Sequence, residues 1–245
     1  MKIALTGATG FIGKRLIERL SERGCQLHLL GRRQPSGGHA GRFFQWDSLS
    51  APPPVTALEG VDAVIHLAGE PVAQRWNSEV KRRIRDSRVT GTGAIVQAMQ
   101  QTGVRTLISA SAIGYYGDRA DELLTERAKP GTGFLPEVCV EWETAVRHAE
   151  QFGARVAMLR IGIVLGKGGG ALEKMVPPFK MGVGGVLGTG KQWMSWIQLE
   201  DIVGLLLHGL DNVSVTGPYN GTAPNPATNA DFTKTLATAL HRPAM

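Results

Sequence analysis

The residues with the plainest chemical meaning stand near the start of the chain. Thr6-Gly7-Ala8-Thr9-Gly10-Phe11-Ile12-Gly13 follows a short apolar run and opens an amphipathic one. Glycines at this spacing let the backbone approach a pyrophosphate, and a helix that begins there turns its free N–H groups and positive dipole end toward it. Gly7 and Gly10 supply the turn. Gly13 lets the helix pack against the strand. Thr9, Phe11 and Ile12 lie beside them and share the contact. A tight turn with no ligand is the plainer alternative, but strand, turn and helix all fall where phosphate binding requires them.

The end of the second apolar run selects the dinucleotide. A carboxylate there would accept from the ribose 2′-hydroxyl of NAD, whereas the chain has Gly31-Arg32-Arg33. Two guanidinium groups suit a 2′-phosphate by charge and by bidentate geometry, which points to NADP(H). Arg32 and Arg33 solvating a loop is the alternative. A second glycine pattern, Gly185 to Lys191, has the spacing of a nucleoside-triphosphate loop, but Gln192 replaces the hydroxyl residue that would hold Mg²⁺ and no helical run follows. It is set aside.

The elements that must position these groups alternate. Apolar runs at 2–7, 26–31, 42–46, 61–68, 105–111 and 155–165 read as strands, and 11–23, 77–102 and 137–152 read as helices. Gly24 and Gly103 end two of those helices. The order predicts an α/β fold, a Rossmann-type doubly wound parallel sheet. After residue 165 the texture changes. Residues 166–190 are rich in glycine around Pro177-Pro178 and suit a mobile cover, 193–197 look extended, 200–210 and 229–241 read as helices, and 217–228 read as turns. This predicts a dinucleotide-binding domain over 1–165 and a small C-terminal lobe over 166–245, partly interleaved with the sheet.

With 245 residues, 42% of them hydrophobic, the chain can bury a sizeable core. No apolar run approaches the roughly 20 residues of a membrane span, and the N-terminus lacks a signal-peptide pattern. A cytoplasmic protein is expected. Cys25 and Cys139 match no metal spacing and read as free thiols, so no metal site is expected. The net charge of +6 concentrates in 81–88, Lys-Arg-Arg-Ile-Arg-Asp-Ser-Arg. Few aromatics interleave with that run, so a solvated helix face is favoured over nucleic-acid binding.

Taken together these motifs resemble the extended short-chain dehydrogenase/reductase family, of the epimerase/dehydratase type. The glycine turn, His66-Leu67-Ala68-Gly69, Ser109-Ala110-Ser111-Ala112, Tyr115-Tyr116-Gly117, Leu159-Arg160-Ile161-Gly162 and 196–201 carry the resemblance. Glu70-Pro71, Arg75-Trp76, Ser87-Arg88, Trp142-Glu143, Pro177-Pro178-Phe179 and Met194-Ser195 narrow it to the epimerase-like subgroup that contains the bacterial YfcH proteins and human SDR39U1. The subgroup usually carries a further C-terminal helical segment, so the resemblance implies a chain that stops short of it. It also implies that Leu67, Ala68 and Gly69 line the adenosine side, that Arg88 reaches a phosphate or ribose, and that Val164 lies at the nicotinamide end. Core packing is the alternative for Leu67, Ala68 and Val164. A homodimer is plausible by analogy.

One departure is plain. The family's chemistry uses Tyr-x-x-x-Lys on the helix after the fifth strand, where the lysine lowers the phenol pKa. Here Cys139 and Glu143 stand at those positions. Ser111 and Tyr116 are the candidates to orient and protonate an unidentified small polar substrate, with Tyr115 and Glu143 weighed beside them. Both packing against the turn and backbone hydrogen bonding are open for the hydroxyls, and an exposed helix position is expected for Glu143. His66 reads as a core histidine and Arg160 as a possible anion holder. The expected function is hydride transfer with NADP(H); the alternative is a cofactor-bound regulator or redox sensor that acts through a protein partner.

Overall fold

The computed structural model describes residues 1–35 and 41–243. Seven strands form one parallel sheet: β1 (Lys2–Thr6), β2 (Gln26–Gly31), β3 (Gly41–Gln45), β4 (Ala63–His66), β5 (Thr106–Ala112), β6 (Arg155–Ile161) and, from late in the chain, a seventh strand at Gly217–Gly221. The spatial order is the seventh strand, β6, β5, β4, β1, β2, β3. The doubly wound α/β fold is thus as expected. The order reverses beside β1, and its C-terminal end opens into a crevice, where ligands of such sheets bind.

Alternation along each strand divides the core. Ile3 and Leu5 of β1 face helix α1 (Phe11–Glu22), while Ala4 faces the opposite side. On that opposite side lie α2 (Ser78–Thr102) and α3 (Phe134–Arg147), with Ile95, Met99, Trp142 and Val146 buried against Val64, Leu107 and Met158. Each such aliphatic side chain contributes about 1.5–3 kcal/mol when fully buried. α2 starts where the Asn77 side chain accepts from Val80 N–H at 2.8 Å and stops at Gly103, whose φ of 77° closes a left-handed cap.

Residues after 161 depart from the expected pattern in three places. The anticipated single strand at 155–165 divides at Gly162, whose backbone crosses Ser195 so closely that a Cβ would lie 2.4 Å from its carbonyl oxygen. Beyond it β7 (Ile163–Leu165) leaves the large sheet. The glycine-rich cover contains a helix, α4 (Gly170–Lys180), because Ala171 to Val176 are mostly good helix formers and Pro177-Pro178 only remove N–H groups from its later turns. Two short strands follow, β8 (Trp193–Met194) and β9 (Trp196–Gln198), the latter paired with β7. Helix α5 (Leu199–Asp211) packs beside α1. β10 (Gly217–Gly221), the seventh strand, was expected to be turn. It carries Pro218 and no apolar alternation, which only an edge strand tolerates. β11 (Ala227–Thr228) pairs with β8, and α6 (Asn229–Leu240) closes the described chain. Residues 244 and 245, the end of the anticipated lobe, lie outside the described residues. Among those described, no helix is long and apolar enough to cross a membrane.

Candidate functional site: a dinucleotide cleft and a locked polar network

The chain leaves β1 at Gly7, whose φ of +74° suits glycine, and a Cβ there would lie 2.7 Å from the Leu67 carbonyl carbon. Gly10 N–H donates to Gly7 O at 2.9 Å, which closes the turn. Gly13 faces the same oxygen, with a Cβ position only 2.2 Å from it. The helix that follows has no side-chain cap and no acidic residue in its first turn. Its leading N–H groups therefore point at the crevice without an internal acceptor, which fits an anion there.

The β4 end is held against this turn by a buried relay. Thr6 Oγ1 accepts from Leu67 N–H and Ala68 N–H, both at 3.1 Å, so its own proton goes to His66 Nδ1 at 2.7 Å. That fixes a neutral imidazole whose Nε2–H donates to Thr92 Oγ1 at 3.1 Å. Burial pushes the His66 pKa down from 6.5 to about 4. The core role expected of His66 is what the geometry gives it.

A cleft of about 260 Å³ lies between these ends. Gly7, Thr9 and Gly10 line one side and Leu67, Ala68 and Gly69 the other; Arg32 and Arg33, just past β2, close a third. Both arginines are exposed and make no ion pair among the described residues. Sequence reasoning gave no cofactor contact to Trp46 to Leu49 or to Glu70-Pro71, which also line the cleft. Their signal was position alone, since each follows the C-terminal end of a parallel strand.

Five expected contacts lie off this cleft. Gly13 packs against the turn from behind. Ile12 packs on the α1–α5 core. The Phe11 ring fills a cup made by Gly166, Gly169 and Gly170, joining the phosphate turn to α4. Arg88 is half-buried over Trp142 and donates from Nη1 to Glu70 O at 3.0 Å and Ile84 O at 3.1 Å, so it buttresses the Gly69–Glu70 loop. Val164 pairs with Ile197 in the small β7–β9 sheet.

The two candidate catalytic hydroxyls also lie elsewhere. Ser111 Oγ donates to Glu143 Oε1 at 2.7 Å. Arg160 grips the same carboxylate with Nε and Nη2, each at 2.8 Å, and its Nη1 donates to the Tyr116 hydroxyl at 3.0 Å. Tyr116 in turn donates to Asn220 Oδ1 at 2.6 Å. All of Ser111, Tyr116, Glu143 and Arg160 are buried. In this structure both candidate hydroxyls, Ser111 and Tyr116, are engaged by the buried Glu143–Arg160 pair and its neighbour Asn220. Glu143 is buried, not exposed, and Arg160 is its partner and not a free anion holder. Burial and the neighbouring Glu143 carboxylate push the Cys139 thiol up to about 11, so the residue at the family's tyrosine position stays protonated near neutral pH.

Three arginines of the basic run are paired with carboxylates. Arg82 meets Glu79 and Asp86, Arg83 meets Glu70, and Arg85 meets Glu141.

Residues 3–220 match the NAD dependent epimerase/dehydratase family. An epimerase family protein of Mycobacterium bovis is 43% identical over 98% of this chain and 79% of its own length. The crystal structure of human epimerase family protein SDR39U1 (isoform2) with NADPH superposes with a TM-score of 0.85 at 32% identity, over 99% of this chain and 81% of that one. A nucleoside-diphosphate sugar epimerase from Corynebacterium glutamicum gives a TM-score of 0.84 at 38% identity; this chain spans 98% of itself but 50% of that protein.

Proposed function

The chain belongs to the NAD dependent epimerase/dehydratase family, and from that premise we propose that it binds NADP(H) and acts as an epimerase-like oxidoreductase on a small polar metabolite. One observation carries the cofactor choice: Arg32 and Arg33 stand, without carboxylate partners among the described residues, across one cleft from the uncapped start of α1. The turn at Gly7–Gly10 would receive the pyrophosphate, the two arginines a 2′-phosphate, and Leu67-Ala68 the adenosine. When bound, the nicotinamide ring supplies or accepts hydride. The chain's own contribution is binding and orientation, together with Arg88 and Thr6, which hold the loop and strand end that flank the cleft.

The locked network favours a second reading. With Ser111 and Tyr116 committed and Cys139 protonated, the family's usual place of proton transfer offers no free acid or base. A cofactor-bound regulator that answers to redox poise through a protein partner needs none. Substrate-dependent change in NADPH absorbance separates the two.

The cofactor test is titration calorimetry with NADPH and NADH on the wild-type chain and on Arg32→Ala. NADPH is expected to bind about tenfold tighter, about 1.4 kcal/mol, and the variant to lose that preference. Equal affinities in the wild type would remove the role of the arginines. No binding of either nucleotide would remove the cofactor reading itself.

A further inference from the structure

We infer that the outer mouth of this cleft recognises an anionic molecule that carries a flat ring, with Trp76 and Phe134 as the stacking surface and Arg75 and Lys81 as the groups that read its charge. The inference rests on the cofactor reading, since it takes this surface as the substrate end of the same cleft.

Placement comes first. The loop 70–77 continues directly from Gly69, Glu70 and Pro71, which line the dinucleotide cleft. Lys174 of α4 donates to Ala73 O at 3.1 Å, so α4 reaches this loop from the other side. Phe134 opens α3, whose second turn carries Cys139 at the position where the family has its catalytic tyrosine. Gly131 N–H donates to Tyr115 O at 3.0 Å, which draws the start of α3 to the end of β5. The segment after β5 thus meets the loop after β4 at Trp76 and Phe134, and α4, after β7, touches the same loop at Ala73.

The surface is held in place and partly exposed. Trp76 is 38% exposed, yet its ring is fixed, because Nε1 donates to Val72 O at 2.9 Å and the Phe134 ring meets it edge-on at 5.4 Å between centroids. An indole held in one orientation with a free surface loses little entropy when a ring stacks on it.

Charge gives the ligand's sign. The three arginines at 82, 83 and 85 all have carboxylate partners. Arg75, Lys81 and Lys174 have none among the described residues. Lys81 Nζ instead hangs over both rings, 5.3 Å from the Phe134 centroid and 5.8 Å from that of Trp76. Glu79, the acid next to this group on α2, is occupied by Arg82. A carboxylate or phosphate beside the stacked ring would give these cations the anionic partner they lack among the described residues.

The test uses 2-naphthoate as probe, with 2-naphthamide as its uncharged counterpart. Both are titrated by calorimetry into the full chain in the presence of NADPH, at about 0.15 M salt so that long-range attraction is screened. The acid is expected to bind about tenfold tighter than the amide. Lys81→Met and Arg75→Met should erase that difference, and Trp76→Leu should weaken both compounds about tenfold. Lys180→Met is the control: it lies on a separate apolar groove along α4, with Leu165, Leu172 and Val176, and should change nothing. Equal affinity of acid and amide, no binding of the acid to the NADPH-loaded chain, or a loss confined to Lys180→Met would each overturn the proposal. If NADPH gives no heat while the acid still binds with the expected variant pattern, the cofactor reading fails and the mouth site stands.

Discussion

Glu143 and Arg160 meet fork to fork across α3 and β6, Nε to Oε1 and Nη2 to Oε2, each at 2.8 Å and both side chains buried. The carboxylate stands where the family places a lysine, so the reversal of charge at that position is answered by an arginine from the neighbouring strand. The pair draws in Ser111 from β5 and Tyr116 from the turn after it, and through Asn220 it reaches the edge strand β10.

Glu143→Gln should therefore act on stability. Removing one charge of a buried pair leaves the other uncompensated and costs about 3–5 kcal/mol, read as a lower urea midpoint with unchanged slope. Ser111→Ala removes one hydrogen bond to a charged group and should cost about 1.5–3 kcal/mol. A Glu143→Gln protein of full stability that has lost turnover would instead make Glu143 a catalytic residue.

His66 predicts a pH window. Its folded pKa of about 4 lies below the unfolded 6.5, with burial as the cause. Above pH 6.5 the group is neutral in both states and its stabilisation is complete. As pH falls from 6.5 toward 4, the unfolded chain takes up a proton that the folded chain refuses, and stability drops by about 3 kcal/mol in all. The wild type should thus lose about 2 kcal/mol more than His66→Asn between pH 7 and pH 5. Parallel pH profiles for the two proteins would contradict the buried neutral imidazole.

Cys139, raised to about 11 and buried, should be inert to a thiol reagent at pH 8 until the chain is unfolded. The half-buried Cys25 is then the thiol that the reagent reaches in the native state. Rapid native labelling in Cys25→Ser would show instead an activated thiol open to the cleft.

Gly13→Ala places a Cβ 2.2 Å from Gly7 O, against backbone that cannot yield cheaply. It should cost about 1–3 kcal/mol or more by overpacking and weaken NADPH binding. Gly93→Ala, in α2 with open space around the new methyl, should stabilise by about 0.5–1 kcal/mol. Gly13→Ala with wild-type stability and affinity would mean that the helix does not need its close approach to the turn.

Local pattern was enough for the glycine turn, the first three helices and the first six strands. Strand alternation, helical spacing and glycine caps act over a few residues, so the types and their order along the chain already state them. The same holds for Arg32 and Arg33, which follow β2 and arrive at the cleft because any residue at that strand end must. What the order of residues left open was settled at longer range. β10 has no apolar pattern of its own and is a strand only because β6 offers it an edge. Ser111, Tyr116 and Glu143 each left a catalytic and a non-catalytic reading open. Arg160, 17 residues from Glu143, sets their surroundings, because a guanidinium buried beside a carboxylate must satisfy its donors there: it donates to Tyr116, while Ser111 donates to the carboxylate it holds. Side-chain type states what a residue can do; only the tertiary neighbours determine which of its bonds are already made.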